Sequence, residues 1–563
     1  MSLPATIHTS VGQSLLGKIS RLYNNSVFDV LVEALQNCRR AGASRVEIDV
    51  AEQSGRPTLV ISDDGSGIDD PAKLVTLGDS GWNNGIAQRE DPAGMGVFSL
   101  AGRHVEIRSF ARTADRGWRV VIPPDAWETG MPVAIEPCDI EAGTELQIEM
   151  PDAWAGDLAS AAAKAAKYYP LPVHLRGEEL ARQDFLADCC RIEHWQGCRI
   201  GVFSDPNYHS ARQPQINFHG LTVLCPMPGI AEIDGGGRWR VKIDIDDAPA
   251  LQLVLPARKE MVCNAALDAL REAAERAIFN TIAHIGRHRL PHAQWLRARE
   301  LGVDLPEAEL WLIAWIPRTA DSEGTSEVSR VASVPMLIVP DCEPEIEQCA
   351  ARALTIENPF SAALVREDRQ LEGYAWYDGL PQISSLSFRI EADGRTLDYD
   401  EGQQLPAEIG SGRVTSISLD LVVAPTRGAT NGAETYTIPC DVLIASGDSW
   451  AGDLHDIVIL LSTGSMITPN ELASLIEDAC FCARDDCDDD SWDTQHRYFQ
   501  MIARQIANAL LLGPDAAIIE RIRDVFADEI GWLIHKGRRI SMVAGRGEVE
   551  LAFIGDEAAG PPQ

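Results

Sequence analysis

The sequence predicts an α/β protein of several domains, on three observations. Runs with helix periodicity and runs with strand periodicity alternate along the first 150 residues. Hydrophobic residues make up 45% of the chain and charged residues 24%, the balance of chains that bury cores rather than of disordered or rod-like ones. The chain is 563 residues long, and a typical domain takes about 150, so three or four domains are expected.

The elements follow in order. Val27 to Arg40 sets Val27, Leu31 and Leu35 on one stripe of a helix. Apolar runs at Val46 to Val50, Leu59 to Ile61, Val105 to Phe110, Trp118 to Ile122 and Leu146 to Ile148 then read as strands, which gives a layered first domain over residues 1–155. A second α/β domain, 156–300, opens on an Ala-rich helix at Leu158 to Tyr168. It continues through strands near Arg199 to Phe203, Leu221 to Leu224, Trp239 to Ile245 and Leu251 to Leu255, and closes on a helix from Ala265 to Gly286. Short strand signals split by Pro, Gly and Asp predict a β-rich domain over 301–435, with the polar segment Arg318 to Arg330 as a loop. Residues 436–563 return to α/β, with strands at Asp441 to Ala445 and Ile457 to Leu461 and helices at Pro469 to Cys480, Thr494 to Leu512 and Ala516 to Ala527. No internal repeat is present.

Charge narrows the choice of partner. Lys and Arg number 49 against 84 Asp and Glu, a formal net charge of −35 that repels phosphate backbones and anionic lipid headgroups. Nucleic acid is therefore disfavoured as a partner, although Arg287, His288, Arg289, Arg297 and Arg299 form a basic run that could touch it. No apolar stretch is long enough to span a membrane and the first thirty residues do not read as a secretory leader, so a cytoplasmic protein is expected. Thirteen scattered cysteines suit reduced thiols better than a disulfide framework. Two loose clusters, Cys480, Cys482, Cys487 and His496, and Cys189, Cys190, His194 and Cys198, lack paired metal-ligand spacing.

The residues that carry chemistry lie between 27 and 148. Glu33 and Asn37, four positions apart, project a carboxylate and an amide from one helix face. The strand at Leu59 to Ile61 runs into Asp63-Asp64-Gly65-Ser66-Gly67, a turn that presents a carboxylate between glycines. Gly94 and Gly96 open an apolar segment whose free amides could hold phosphate. Gly143-Thr144 immediately precedes a strand. Taken singly, these are a solvated helix face, an Asx turn and glycine punctuation.

Taken in order, Glu-x-x-x-Asn, Asp-x-Gly-x-Gly, Gly-x-Gly and Gly-Thr within about residues 20–150 resemble the GHKL superfamily of Bergerat-fold ATPases, which includes gyrase-type topoisomerases, heat-shock chaperones, histidine kinases and MutL proteins. The resemblance implies an α+β sandwich that binds ATP and Mg²⁺. Glu33 would be the general base on the attacking water, Asn37 would coordinate Mg²⁺, and Gly94 and Gly96 would lie at the phosphates. Asp63 would accept the adenine amino group, with Gly67 leaving room for the base and Thr144 supporting the contact. Asp64 is the rival, and the motif spacing selects Asp63. The Gly-rich stretch Leu77 to Ala93 would be a lid. Leu255-Pro256-Ala257-Arg258-Lys259-Glu260 looks like the segment of MutL-type transducer domains that brings a lysine to the γ-phosphate, so Arg258 or Lys259 would take that role.

The resemblance further implies a homodimer formed through the N-terminal domain. The output expected is an ATPase that acts as a nucleotide-gated switch or clamp on a protein partner. The competing readings are a non-hydrolysing ATP-sensing scaffold and a MutL-like nucleic-acid clamp.

Overall fold

The computed structural model describes residues 26–53, 55–72, 102–129, 131–204, 213–233, 237–254, 260–321, 329–429, 431–445, 457–484 and 490–554, with the single positions 82, 100, 235 and 454. Two compact units divide the chain, residues 1–309 and 310–563.

The first unit opens on α1 (Val27–Arg40). Ser26 caps it by accepting the Asp29 amide at 3.1 Å, and Arg39 and Arg40 sit in its last turn, where cations oppose the helix dipole. Its apolar stripe, Val27, Val30, Leu31, Ala34, Leu35 and Cys38, is buried. The strands beside it are β1 (Val46–Gln53), β2 (Arg56–Asp63), β3 (Val105–Phe110), β4 (Trp118–Ile122), β5 (Ile135–Pro137) and β6 (Gly143–Glu149), followed by α2 (Asp152–Ala166), β7 (Val173–Leu175) and β8 (Glu178–Glu179).

These strands form one sheet in the order β5-β4-β3-β6-β2-β1-β7-β8, antiparallel except where β1 runs parallel to β7. Alternation explains its two faces: Val46 and Ile48 are buried under the helices while Asp49 is exposed. α2 packs beside α1, with Lys164 Nζ 4.5 Å above the Phe28 ring. A two-layer α+β arrangement results, and it runs past the division expected at residue 155, because α2, β7 and β8 add to this first layer.

The second sheet of the unit contains β9 (Arg191–Trp195), β10 (Cys198–Ser204), β11 (Ile216–Phe218), β12 (Leu221–Val223), β13 (Gly229–Ala231) and β14 (Arg238–Ile245), in the order β12-β11-β14-β10-β9 with β13 on β14. α3 (Ala265–Ile285) covers it, capped by Asn264 at its start and by Gly286, at φ 78°, at its end; α4 (His292–Glu300) follows. Where a strand was expected at Leu251 to Leu255, the described residues show a single bridge between Leu253 and Met261.

In the second unit, β15 (Leu312–Ile313) pairs β16 (Arg330–Val331). The main sheet is built from β17 (Met336–Val339), β18 (Ala363–Arg366), β19 (Gln382–Ala392), β20 (Arg395–Tyr399), β22 (Ser416–Ala424) and β23 (Glu434–Cys440), and a smaller one from β21 (Gly412–Val414), β24 (Val442–Ala445) and β25 (Val458–Ser462). Three helices, α5 (Pro344–Ile356), α6 (Pro469–Cys480) and α7 (Trp492–Leu512), share one core with both sheets, including Cys349, Ala353, Leu419, Leu443, Leu460, Ile476 and Phe499. The expected division at residue 435 therefore falls inside a single core, and α5 lies in a stretch expected to be strands and turns. α8 (Pro514–Val525) and a separate hairpin, β26 (Arg539–Gly545) and β27 (Glu548–Ile554), end the described chain. Among the described residues no helix is long and apolar enough to cross a membrane.

A row of polar side chains at the edge of the first core

On β2, Leu59, Ile61 and Asp63 alternate onto the face that α1 covers, so Asp63 continues a buried row beyond the end of its apolar members. Asp63 stands directly opposite Thr144 on β6, and Thr144 directly opposite Ser109 on β3. Three adjacent strands therefore place a carboxylate and two hydroxyls in a line on one face.

The hydrogen bonds of this row are specific. Ser109, fully buried, has its hydroxyl 3.0 Å from that of Thr144, accepts the Ile68 amide at 2.9 Å and donates to the Gly143 carbonyl at 3.1 Å. Either hydroxyl can be the donor between Ser109 and Thr144; where Ser109 gives its proton to Gly143, Thr144 donates to Ser109 and keeps its lone pairs as an acceptor. Asp63 accepts the Gly65 amide at 2.8 Å and is hydrogen-bonded by the buried Cys38 thiol of α1. Burial raises the Asp63 carboxyl above its ordinary range, opposed by those hydrogen bonds. Burial, and then the neighbouring Asp63 charge, push the Cys38 thiol up as well.

Asp64 does different work. Its carboxylate accepts the Ser44 amide at 2.7 Å, the Arg45 amide at 3.4 Å and the Ser44 hydroxyl, and so ties down the turn between α1 and β1. Hydrogen bonding from Ser44 holds its carboxyl below the ordinary range.

The turn after β2 is fastened to both neighbours: the Ser66 amide donates to Ala41 O at 2.8 Å and the Trp118 indole donates to Ile68 O at 3.1 Å. Gly67 has φ +72°, and a Cβ there would stand 2.2 Å from the Phe110 carbonyl oxygen. The space a Gly67 Cβ would take is filled by the protein's own β3 backbone, so the packing of this turn on β3 by itself requires glycine. Gly143, at φ +73°, is constrained in the same way, with a Cβ position 1.9 Å from Asp63 O.

On α1, Glu33 and Asn37 are one turn apart and partly exposed. Asn37 precedes Cys38, the residue that touches Asp63, and its Oδ1 accepts Arg40 Nη1 at 3.3 Å. Gly94, Gly96, Arg258, Lys259 and the whole of the expected lid except Trp82 lie outside the described residues. Cys38 and Ser109 were not among the expected site residues; nothing local in the sequence marks them, since each acquires its role from a partner on another element.

Among the described residues no group of three or more His, Cys, Asp or Glu side chains could hold a metal ion. The basic run does not form a surface stripe: His288 and Arg289 are buried, and Arg297 is bonded to Glu275 and Glu300.

No known protein family matches the chain, and no curated protein matches it. Among solved structures, one that it resembles is the N-terminal domain of a DNA repair protein, at 14% identity over 38% of this chain and 80% of that one, with a TM-score of 0.25. A likeness at that level assigns no function.

Proposed function

We propose that the first unit binds ATP, with the adenine amino group at Asp63 and Thr144, and hydrolyses it to ADP and phosphate. The observation that carries this reading is the pair of side chains facing the same way from β2 and β6: the Asp63 carboxylate and the Thr144 hydroxyl, whose oxygen accepts when its proton goes to Ser109. Two adjacent acceptors suit an exocyclic NH₂ group and reject a carbonyl oxygen in its place. That Asp64 is engaged by Ser44 and Arg45 supports Asp63 for this role.

The hydrolytic half rests on the motif resemblance. Glu33 takes the proton of the attacking water, and Arg258 or Lys259 meets the γ-phosphate. Asn37 would hold Mg²⁺, which supplies charge neutralisation at the phosphates when bound. A single amide oxygen fits a cation that takes its other ligands from phosphate and water. Closure of the unit around ATP, with pairing of two copies through their first domains, then signals to a protein partner. Calorimetric titration tests the adenine half: ATP is expected to bind and GTP to bind at least about tenfold more weakly, and equal affinities would overturn it.

One observation favours a second reading. The Asn37 oxygen accepts one hydrogen bond from Arg40 Nη1 at 3.3 Å, and while that guanidinium stays beside it its charge disfavours Mg²⁺ there. A scaffold that binds nucleotide without turnover would leave this bond intact. Arg40→Ala separates the two: an ATPase gains Mg²⁺ affinity, and a scaffold does not change.

A further inference from the structure

Where α6 ends and α7 begins, the second unit holds an open cavity of about 350 Å³. Its lining combines three carboxylates, Asp321, Glu477 and Asp478, with three rings, Phe481, Trp492 and His496. The rings form one cluster: His496 lies 4.4 Å from Trp492 at 30°, and Phe481 is 4.9 Å from His496 and 5.8 Å from Trp492. Trp492 is nonetheless 44% exposed, so much of its indole stays open to a ligand.

The carboxylates differ in how they are held. Asp321 accepts the Trp492 indole N–H at 2.6 Å, and Glu477 lies 2.5 Å from His496 Nε2 and accepts Gln500 Nε2 at 3.1 Å. The Asp478 side chain has no hydrogen bond or ion pair among the described residues. Partial desolvation, and then the Glu477 charge, raise its carboxyl. Its place on the helix adds to this, because Glu477 and Asp478 sit in the last turn of α6, at the negative end of the dipole, and no basic residue shares that turn.

We propose that this cavity binds a small organic cation, with its ammonium or guanidinium group on Asp478 and its body against Trp492 and Phe481. Charge sets the sign of the ligand: three carboxylates face the cavity against one imidazole, and Asp478 lacks a cationic partner. Spacing sets its kind. Among the described residues no three His, Cys, Asp or Glu side chains are placed to hold a metal ion. The carboxylates thus do not converge on one point as a metal needs, whereas an extended amine reaches them separately. Aromatic walls act the same way, since an organic cation gains from a ring face that a strongly hydrated metal ion does not desolvate to meet. The volume lies near the small end of ligand pockets, about 300–1,000 Å³, which suits a small molecule. This site lies wholly in the second unit and does not depend on the ATP reading.

Calorimetric titration of the full chain with agmatine, which carries a guanidinium at one end and an ammonium at the other, tests it. Salt at about 150 mM screens diffuse attraction to the chain's net charge. One site with a Kd below about 1 mM is expected. Asp478→Asn should weaken it at least about fivefold through the lost charge-assisted hydrogen bond, and Trp492→Ala at least about threefold. Glu408→Gln makes the same charge change at an exposed residue that does not line the cavity, and should leave binding unchanged. Asp478→Asn keeps the side chain's shape at an exposed position, so the fold should survive, and circular dichroism checks this. No saturable binding up to about 10 mM agmatine, or equal effects of Asp478→Asn and Glu408→Gln, would overturn the proposal.

Discussion

The Asp63 carboxylate and the Thr144 hydroxyl face each other across neighbouring antiparallel strands, one anchored by the Cys38 thiol of α1 and the other by the buried Ser109 of β3. Helix and sheet thus fix the two acceptors independently, and the substitutions below probe each support.

Asp63→Asn separates recognition from stability. The folded-state carboxyl is raised, so its ionisation is costlier in the folded than in the unfolded chain. Both forms are protonated at low pH and carry no penalty, whereas above the folded value the penalty is fully present. The variant is therefore expected to melt higher than wild type at pH 7.5 without nucleotide, with the gain shrinking towards pH 4, while ATP affinity falls at least about tenfold. Thermal melts across that range check it, and a variant that melts lower at pH 7.5 contradicts the assigned environment.

Ser109→Ala removes the acceptor of the Ile68 amide and the hydrogen-bond partner of the Thr144 hydroxyl in a fully buried place. A cost of about 1–3 kcal/mol is expected from the groups left unpaired. Released from Ser109, Thr144 also loses its fixed orientation, so ATP binding weakens without loss of the fold. Denaturant titration and calorimetry read the two effects separately.

Gly143→Ala and Gly42→Ala form a matched pair. Both glycines have positive φ, +73° and +67°, but a Cβ at Gly42 meets nothing within 4 Å while one at Gly143 would lie 1.9 Å from Asp63 O. Gly42→Ala should cost about 1–2 kcal/mol of backbone strain. Gly143→Ala should cost clearly more, because β2 and β6 must part at the site. Equal costs would place the constraint in the backbone angle alone.

Cys38 is 4% exposed and its thiol is raised by burial and by Asp63, whereas Cys190, Cys263 and Cys482 are exposed. Alkylation at pH 8, mapped by mass spectrometry, should label the exposed three first and Cys38 only as the unit opens. Bound ATP should slow Cys38 further.

Much of this architecture is legible from periodicity. The stripe of Val27, Leu31 and Leu35 and the alternation of Val46 and Ile48 specify α1 and β1 and the faces they bury. What periodicity does not carry is pairing between distant segments. That β7 would join β1, that β22 and Ile476 would share a core, and that Ser109 would meet Thr144 are contacts across 35 to more than 100 residues, with no local mark. α5 was hidden differently: its helix opens on Pro344, in a stretch where Pro and Asp also punctuate true turns. At the site, the motif spacing favours Asp63 over Asp64, whereas the Ser44 and Arg45 bonds that engage Asp64 carry no mark in the sequence.

The most direct test of the central claim is Mg²⁺-dependent ATP hydrolysis by the full chain beside Glu33→Ala and Asp63→Asn, with nucleotide binding measured on the same samples. The account predicts turnover in the wild type, its loss in both variants, and loss of binding in Asp63→Asn alone. ATP binding that survives Asp63→Asn, or a wild type that binds no ATP, would contradict it.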